Sequence, residues 1–219
     1  MKIALAALVV IAAGTTAMAD TVTYSGTRPL TLTDWGPIAV SLPAFDNTAG
    51  GAFPGATLTN VILTLLGNVD GRVRLENLDP QAFLLTYTLQ ASLSMTGPGG
   101  GSVAALPTSV GNFNASAYDG TTDFGGTSGI DLNNILATNG QFSSPLLFNP
   151  YIGTGNISFI LNASGTSSGT GPGNRVAIFE SLASAEYSVT YELTPIPTPG
   201  AAALLGLGGL IAVRRRRAR

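Results

Sequence analysis

The chain has 219 residues, of which 10% are charged, and it contains 28 glycines, no cysteine and no histidine. Without cysteine there is neither a disulfide framework nor thiol chemistry. Without histidine the usual general base, the Ser-His-Asp triad and the commonest metal ligand are missing, so we expect a protein that is not an enzyme.

The basic residues are concentrated at the two ends of the sequence. Six of the ten lie in residues 1–19 and 195–219, whereas all twelve acidic residues lie between Asp20 and Glu192. Four basic and twelve acidic residues give the central segment a net charge of −8. Because such a segment offers no basic surface for phosphates, we expect no nucleic acid as a partner.

Residues 1–19 have the order of parts of a secretory signal peptide. Lys2 is the positive start, residues 3–13 are an apolar run, and Ala17-Met18-Ala19 is a small-x-small cleavage site. The pattern predicts cleavage by signal peptidase between Ala19 and Asp20, and therefore export.

The next part of the sequence predicts strands at residues 21–24, 38–42, 57–66, 69–76 and 83–95. In residues 83–95 apolar side chains alternate with mostly polar ones, as expected when one face of a strand is buried. Gly67-Asn68 and Asp79-Pro80 have the composition of turns. These signals predict an antiparallel meander from residue 57 to residue 95.

Two sets of side chains in this part are candidate ligands. Trp35, with Tyr24 and Tyr118, could stack on a sugar, although a lone tryptophan in a β-protein is more often part of the core. Asp70 and Glu76 could form the carboxylate pair of a glycosidase. We favour instead an exposed ladder of charges between strands, because Arg72 and Arg74 project from the same face of the predicted strand.

Residues 112–150 predict a long loop that is rich in glycine and polar side chains. Asp119, Asp123 and Asp131 fall within it, and carboxylate oxygens are the ligands that calcium prefers. Their spacing matches no EF-hand, so we favour solvated acids over a calcium site and expect no other cofactor.

Two more alternating segments follow, at residues 154–161 and 187–193. Many short strands, glycine-rich turns and no segment of helical period predict an all-β fold, an antiparallel β-sandwich over residues 20–194. The segments around Leu42-Pro43-Ala44-Phe45-Asp46, residues 58–65, residues 71–78 and Tyr151-Ile152-Gly153-Thr154-Gly155 resemble the choice-of-anchor E domain. The resemblance implies an exported bacterial protein with a β-rich body and a separate surface anchor, and it supplies no catalytic residues.

The last 25 residues have three parts. A proline motif, Pro197-Thr198-Pro199-Gly200, precedes an apolar run at residues 201–213, and Arg214, Arg215, Arg216 and Arg217 follow. The order resembles the PEP-CTERM sorting signal of Gram-negative bacteria, with Thr198 where that motif has glutamate. The resemblance implies an exosortase-like processing enzyme as a partner.

The apolar run predicts a short membrane helix. From Gly200 to Val213 it would be about 21 Å long, against a hydrocarbon core of about 30 Å. The arginines would stay on the cytoplasmic side. The shortness favours a transient insertion before cleavage, and a permanent anchor is the alternative.

Taken together, these features predict an exported structural protein of the cell surface or extracellular matrix, associated with exopolysaccharide. The first alternative is a carbohydrate-binding module that uses Trp35 and a weak calcium-dependent loop. The second is a secreted glycoside hydrolase built on carboxylates.

Overall fold

The computed structural model describes residues 20–194, here called the body. The predicted signal peptide (1–19) and sorting tail (195–219) lie outside the described residues. Within the body the regular elements are ten strands and two short 3-10 turns, and no helix there is long and apolar enough to cross a membrane. The prediction of an all-β fold is confirmed.

The ten strands form two antiparallel sheets. Sheet A has the order β1-β10-β3-β7, and sheet B has the order β2-β8-β4-β5, with β6 and β9 also paired to β4. The bounds are β1 Asp20–Leu32, β2 Trp35–Pro43, β3 Thr57–Asn77, β4 Phe83–Thr96, β5 Ser102–Ala105, β6 Thr108–Ala115, β7 Gly129–Ser143, β8 Asn156–Gly165, β9 Ser168–Thr170 and β10 Arg175–Thr194.

Alternate side chains of the long strands build one core shared by both sheets. On β3 every second residue from Val61 to Leu75 is buried, and on β4 the same holds from Leu89 to Met95. Burying each leucine of this kind contributes about 1.5–3 kcal/mol. The period of two in residues 83–95 therefore predicted the correct buried face.

The predicted turn at Gly67-Asn68 is wrong, because β3 runs through it without a break. Gly67 is needed for close packing: a Cβ there would lie 3.0 Å from Cδ1 of Leu93 in the opposite sheet. The predicted meander is also wrong. β3 lies in sheet A and β4 in sheet B, so the chain crosses between sheets at Asp79-Pro80.

The predicted long loop at residues 112–150 is wrong as well. β6 extends to Ala115, and β7 occupies Gly129–Ser143 as the outer strand of sheet A, which leaves residues 116–128 as the loop. An outer strand with one partner can carry polar side chains and a distorted residue. Asn134 has a φ of 55°, at a break in the register with β3.

The strand register gives the body two distinct ends. Asp20 pairs with Leu193 and Thr194 pairs with Thr57, so both ends of the described chain lie together at what we call the proximal end. At the opposite, distal end Asn77 pairs with Arg175. β3 has 21 residues, so this strand extends for about 66 Å at 3.3 Å per residue.

Candidate functional site

The three acidic residues predicted as possible calcium ligands are not brought together. Asp119 and Asp123 lie in the loop 116–128, and each accepts a backbone N–H two residues further on, from Thr121 at 2.9 Å and from Gly125 at 2.8 Å. Asp131 lies on β7. Among residues 20–194 no group of three or more acidic side chains is arranged to hold a metal ion. These three residues therefore do not form the calcium site that was the alternative to solvated acids.

Trp35 is a core residue at the point where the chain passes from sheet A to sheet B. Its side chain is 9% exposed, and Nε1 donates a 3.4 Å hydrogen bond to the carbonyl of Ala183. The guanidinium of Arg28 lies 5.6 Å from the ring centre. A ring covered in this way offers no face to a sugar, so the possible ligand role of Trp35 is wrong and the favoured core role is confirmed.

A ladder of charges between strands is present on the outer face of sheet A. Arg72 on β3 makes two hydrogen bonds to Asp131 on β7, and Arg74 Nη2 lies 3.0 Å from Glu180 Oε1 on β10. The guanidinium of Arg72 lowers the pKa of Asp131, chiefly through their hydrogen bonds. The arginines thus pair with carboxylates of the two neighbouring strands.

Glu76 departs from the predicted ladder, because it is fully buried at the distal end. Its Oε2 accepts a 2.7 Å hydrogen bond from the N–H of Phe124, whose φ is 59° and whose ring lies 5.3 Å from the guanidinium carbon of Arg74. The glutamate therefore holds the loop 116–128 over the end of β3. Period-two reasoning missed this, because a loop from elsewhere in the chain covers the polar face.

The proposed glycosidase pair also fails on geometry. Asp70 and Glu76 are six residues apart on one strand, a separation of about 20 Å at 3.3 Å per residue. The two carboxylates of a glycosidase are separated by about 5 to 9.5 Å. These two residues therefore cannot act on the same glycosidic bond.

Shallow hollows lie along the outer face of sheet A. One of about 230 Å³ includes Asp70, Arg72 and Glu180, and its neighbour of about 260 Å³ includes Asp70, Leu136 and Ser184. Charged and amide side chains dominate the first, and the second combines hydroxyl side chains with aliphatic groups such as Leu30 and Leu136. The arrangement can hydrogen-bond a polar polymer, but it contains no aromatic ring on which a sugar could stack.

An aromatic cluster closes the proximal end. Phe45 stacks on Phe53 with ring centres 4.9 Å apart and meets the edge of Tyr191 at 5.6 Å. Tyr191 also donates a 2.9 Å hydrogen bond to the carbonyl of Pro43. Burial raises the pKa of Tyr151 to about 12 and raises that of Tyr191 as well. These rings fix the loops of the proximal end to strand β10.

Two of the segments that resemble the choice-of-anchor E domain, one around Phe45 and one around Tyr151, meet in the fold. The sequence did not predict this contact. The N–H of Phe45 donates to the carbonyl of Tyr151 at 2.9 Å, and that of Gly153 donates to the carbonyl of Phe45 at 3.1 Å. A parallel bridge joins Phe45 to Ile152. Residues 43–46 and 151–155 are thus the two halves of one structural unit beside the chain ends.

Comparisons with known proteins add little to this geometry. No family model and no curated protein matches the chain. Among solved structures, that of infectious bursal disease virus strain Gx is similar at 16% identity and a TM-score of 0.21, covering 91% of this chain and 51% of the other. The T=1 particles derived from the virus match at 15% identity and a TM-score of 0.20, covering 90% and 48%. The chain spans about half the length of these chains, and likeness at this level carries no argument about fold or function.

Proposed function

We propose that this protein is an exported structural component of the cell surface or extracellular matrix, with a β-sandwich body that residues 195–219 deliver to the envelope. The observation that carries the proposal is the three-part tail in the sequence, which follows β10 directly after Thr194. The predicted signal peptide precedes β1 with no linker, since Asp20 is already paired.

The body supports a mechanical role better than a chemical one. Several of its described charged side chains are engaged in the ladder around Arg72 and Arg74, in loop hydrogen bonds, or in the buried contact of Glu76. A sheet about 66 Å long, with its chain ends at one end, suits a rod that stands away from a surface.

Exopolysaccharide is the partner that fits the outer face of sheet A. Ser, Thr and Asn side chains alternate along it, including the bonded set Ser184, Asn68 and Thr138. The carbohydrate-binding alternative relied on Trp35 and on a calcium-binding loop. Trp35 is buried in the core, and the three acidic residues of that loop are not brought together. The hydrolase alternative relied on Asp70 and Glu76, which are too far apart to act on one glycosidic bond.

Intact-mass analysis and N-terminal sequencing of protein recovered from the surface of an exporting Gram-negative host test the proposal. The chain should begin at Asp20, and its mass should report whether the tail has been processed. Surface material that still contains residues 1–19 would contradict the assignment of these residues as a cleaved signal peptide. A cytoplasmic location of the whole protein would contradict the function.

A further inference from the structure

The proximal end exposes a group of large apolar side chains. Leu146 is 97% exposed, Phe142 77%, Leu147 61% and Ile152 38%. Soluble surfaces expose single apolar residues routinely, but neighbouring leucines at such exposure are characteristic of interaction sites. The two adjacent leucines, residues 146 and 147, are here called the leucine loop.

The strand register places the leucine loop near the two chain ends. β7 runs antiparallel to β3 and ends with Ser143 opposite Leu63, so the chain is then heading toward Thr57. It next reaches Tyr151, which is hydrogen-bonded to Phe45. Leu63 lies six residues from Thr57, so the loop begins within about 20 Å of the exit of the chain at Thr194.

The loop is fixed on both sides. Pro145 is buried against Gly101, where a Cβ would lie 3.0 Å from the Cβ of the proline. Phe148 packs against the core, and Tyr151 is fully buried. Because its flanks are anchored inward, the leucine loop is held outward, and its exposure is a property of the fold rather than of a loose segment.

We propose that the leucine loop contacts the interfacial layer of the lipid bilayer into which the C-terminal segment inserts. The inference rests on the proposed function, which supplies the membrane. Residues 195–200 are the only residues between Thr194 and the apolar run, and six residues span at most about 20 Å. An inserted tail therefore holds the proximal end, with its leucines, at the bilayer surface.

The negative charge around the leucine loop favours a zwitterionic over an anionic lipid surface. The proximal end carries Asp20, Asp46 and Glu192, and no basic residue lies within residues 29–71. An anionic surface would repel this end, so the contact is apolar and suits zwitterionic headgroups. Added salt should accordingly leave it unchanged.

The absence of cysteine allows a direct test with the whole mature chain, residues 20–219. Leu146→Cys provides a single thiol for an environment-sensitive fluorophore, and Thr121→Cys, exposed in the distal loop 116–128, is the matched control. Each labelled protein is mixed with phosphatidylcholine vesicles and floated on a density gradient. The fluorophore at position 146 should shift to the blue and lose quenching by iodide, whereas that at position 121 should do neither.

The outcomes separate this inference from the proposed function. If the protein floats and position 146 stays in water, the membrane contact is overturned and insertion of the tail stands. If the protein does not float, insertion fails, and the contact falls with it. A blue shift of the fluorophore at position 146 in the absence of vesicles also overturns the membrane contact. If that shift grows with protein concentration, a second copy of the chain covers the loop. If it does not depend on concentration, the chain's own tail covers it.

Discussion

Leu89 and Thr88 are neighbours on β4 with opposite surroundings. Leu89 is fully buried and lies 2.9 Å from the Cβ position of Gly71 in the opposite sheet. Thr88 pairs with Val110 and Ser168, both exposed, on the outer face of sheet B. Leu89→Asp should unfold the body, because an unpaired buried charge costs several kcal/mol.

Thr88→Asp is the matched control for this prediction, since it adds the same charge one residue away. It should lower the free energy of unfolding by about 1 kcal/mol or less, as measured by urea denaturation. Equal damage from the two substitutions would mean that both faces of β4 are buried in solution.

Tyr151 and Tyr191 should make the body sensitive to alkali. Burial raises the pKa of Tyr151 to about 12 and raises that of Tyr191 as well, whereas a tyrosine of the unfolded chain titrates near 10. The unfolded chain therefore loses these protons first as pH rises. The contribution of the two buried tyrosines to the free energy of unfolding is fully present below about pH 10 and should fall as pH rises toward 12.

Urea denaturation of Tyr151→Phe between pH 9 and pH 12 measures this dependence, with Tyr118→Phe as the control. The Tyr151→Phe variant should lose less stability over this range than the unchanged chain, whereas Tyr118→Phe should follow the unchanged chain. At neutral pH, Tyr151→Phe should cost almost nothing, because the buried hydroxyl has no hydrogen-bond partner among residues 20–194. Identical pH profiles for all three proteins would refute a buried Tyr151.

At the scale of elements, two glycines of β3, Gly67 and Gly71, leave room for leucines of the opposite sheet. A Cβ at Gly71 would collide with the carbonyl oxygen of Glu180 on β10 and would lie 2.9 Å from Cδ1 of Leu89. Gly71→Ala should therefore destabilise the body by about 1–3 kcal/mol, because the obstacle includes backbone and cannot rotate away. Gly50→Ala is the control, since nothing lies within 4 Å of its Cβ position. Equal unfolding midpoints in urea would contradict the close approach.

The elements that the sequence could predict are those whose pattern of side chains reports burial directly. Alternation in residues 83–95 reports a buried face directly, so β4 and its buried face were predictable, whereas its partner strands were not. Gly67 looks like a turn because composition cannot distinguish a glycine needed for a bend from one needed for contact with Leu93. β7 was missed because an outer strand with polar side chains and a bulge at Asn134 has the composition of a loop.

The candidate site was less predictable than the strands, because it depends on contacts distant in sequence. Nothing near Glu76 indicates that Phe124 will cover it, 48 residues later. Trp35 is buried by residues that include Ala183, 148 positions away. By contrast, the ladder on Arg72 and Arg74 followed from strand alternation, since charges on the outer face of a sheet have neighbours on both sides.

At the scale of the whole molecule, the tail should be separable from the body. The described pairing of β10 ends with Thr194 opposite Thr57, and Pro195, Pro197 and Pro199 cannot donate ladder hydrogen bonds. Deleting residues 200–219 should therefore leave the thermal unfolding of the body unchanged. The truncated protein should appear in the medium, because two exposed leucines are too little apolar surface to hold it on a membrane.

Replacing residues 214–217, the four arginines, by serine tests the same tail without shortening it. Surface retention should fall, because these charges fix the orientation of the apolar run across the membrane. The melting temperature should not change, since the charges act on topology and not on the core. For the truncated and the serine variants, cell fractionation measures surface retention and calorimetry measures the melting temperature. If truncation unfolded the body, residues 201–213 would be a core element, and sorting by the tail, on which the proposed function rests, would have to be abandoned.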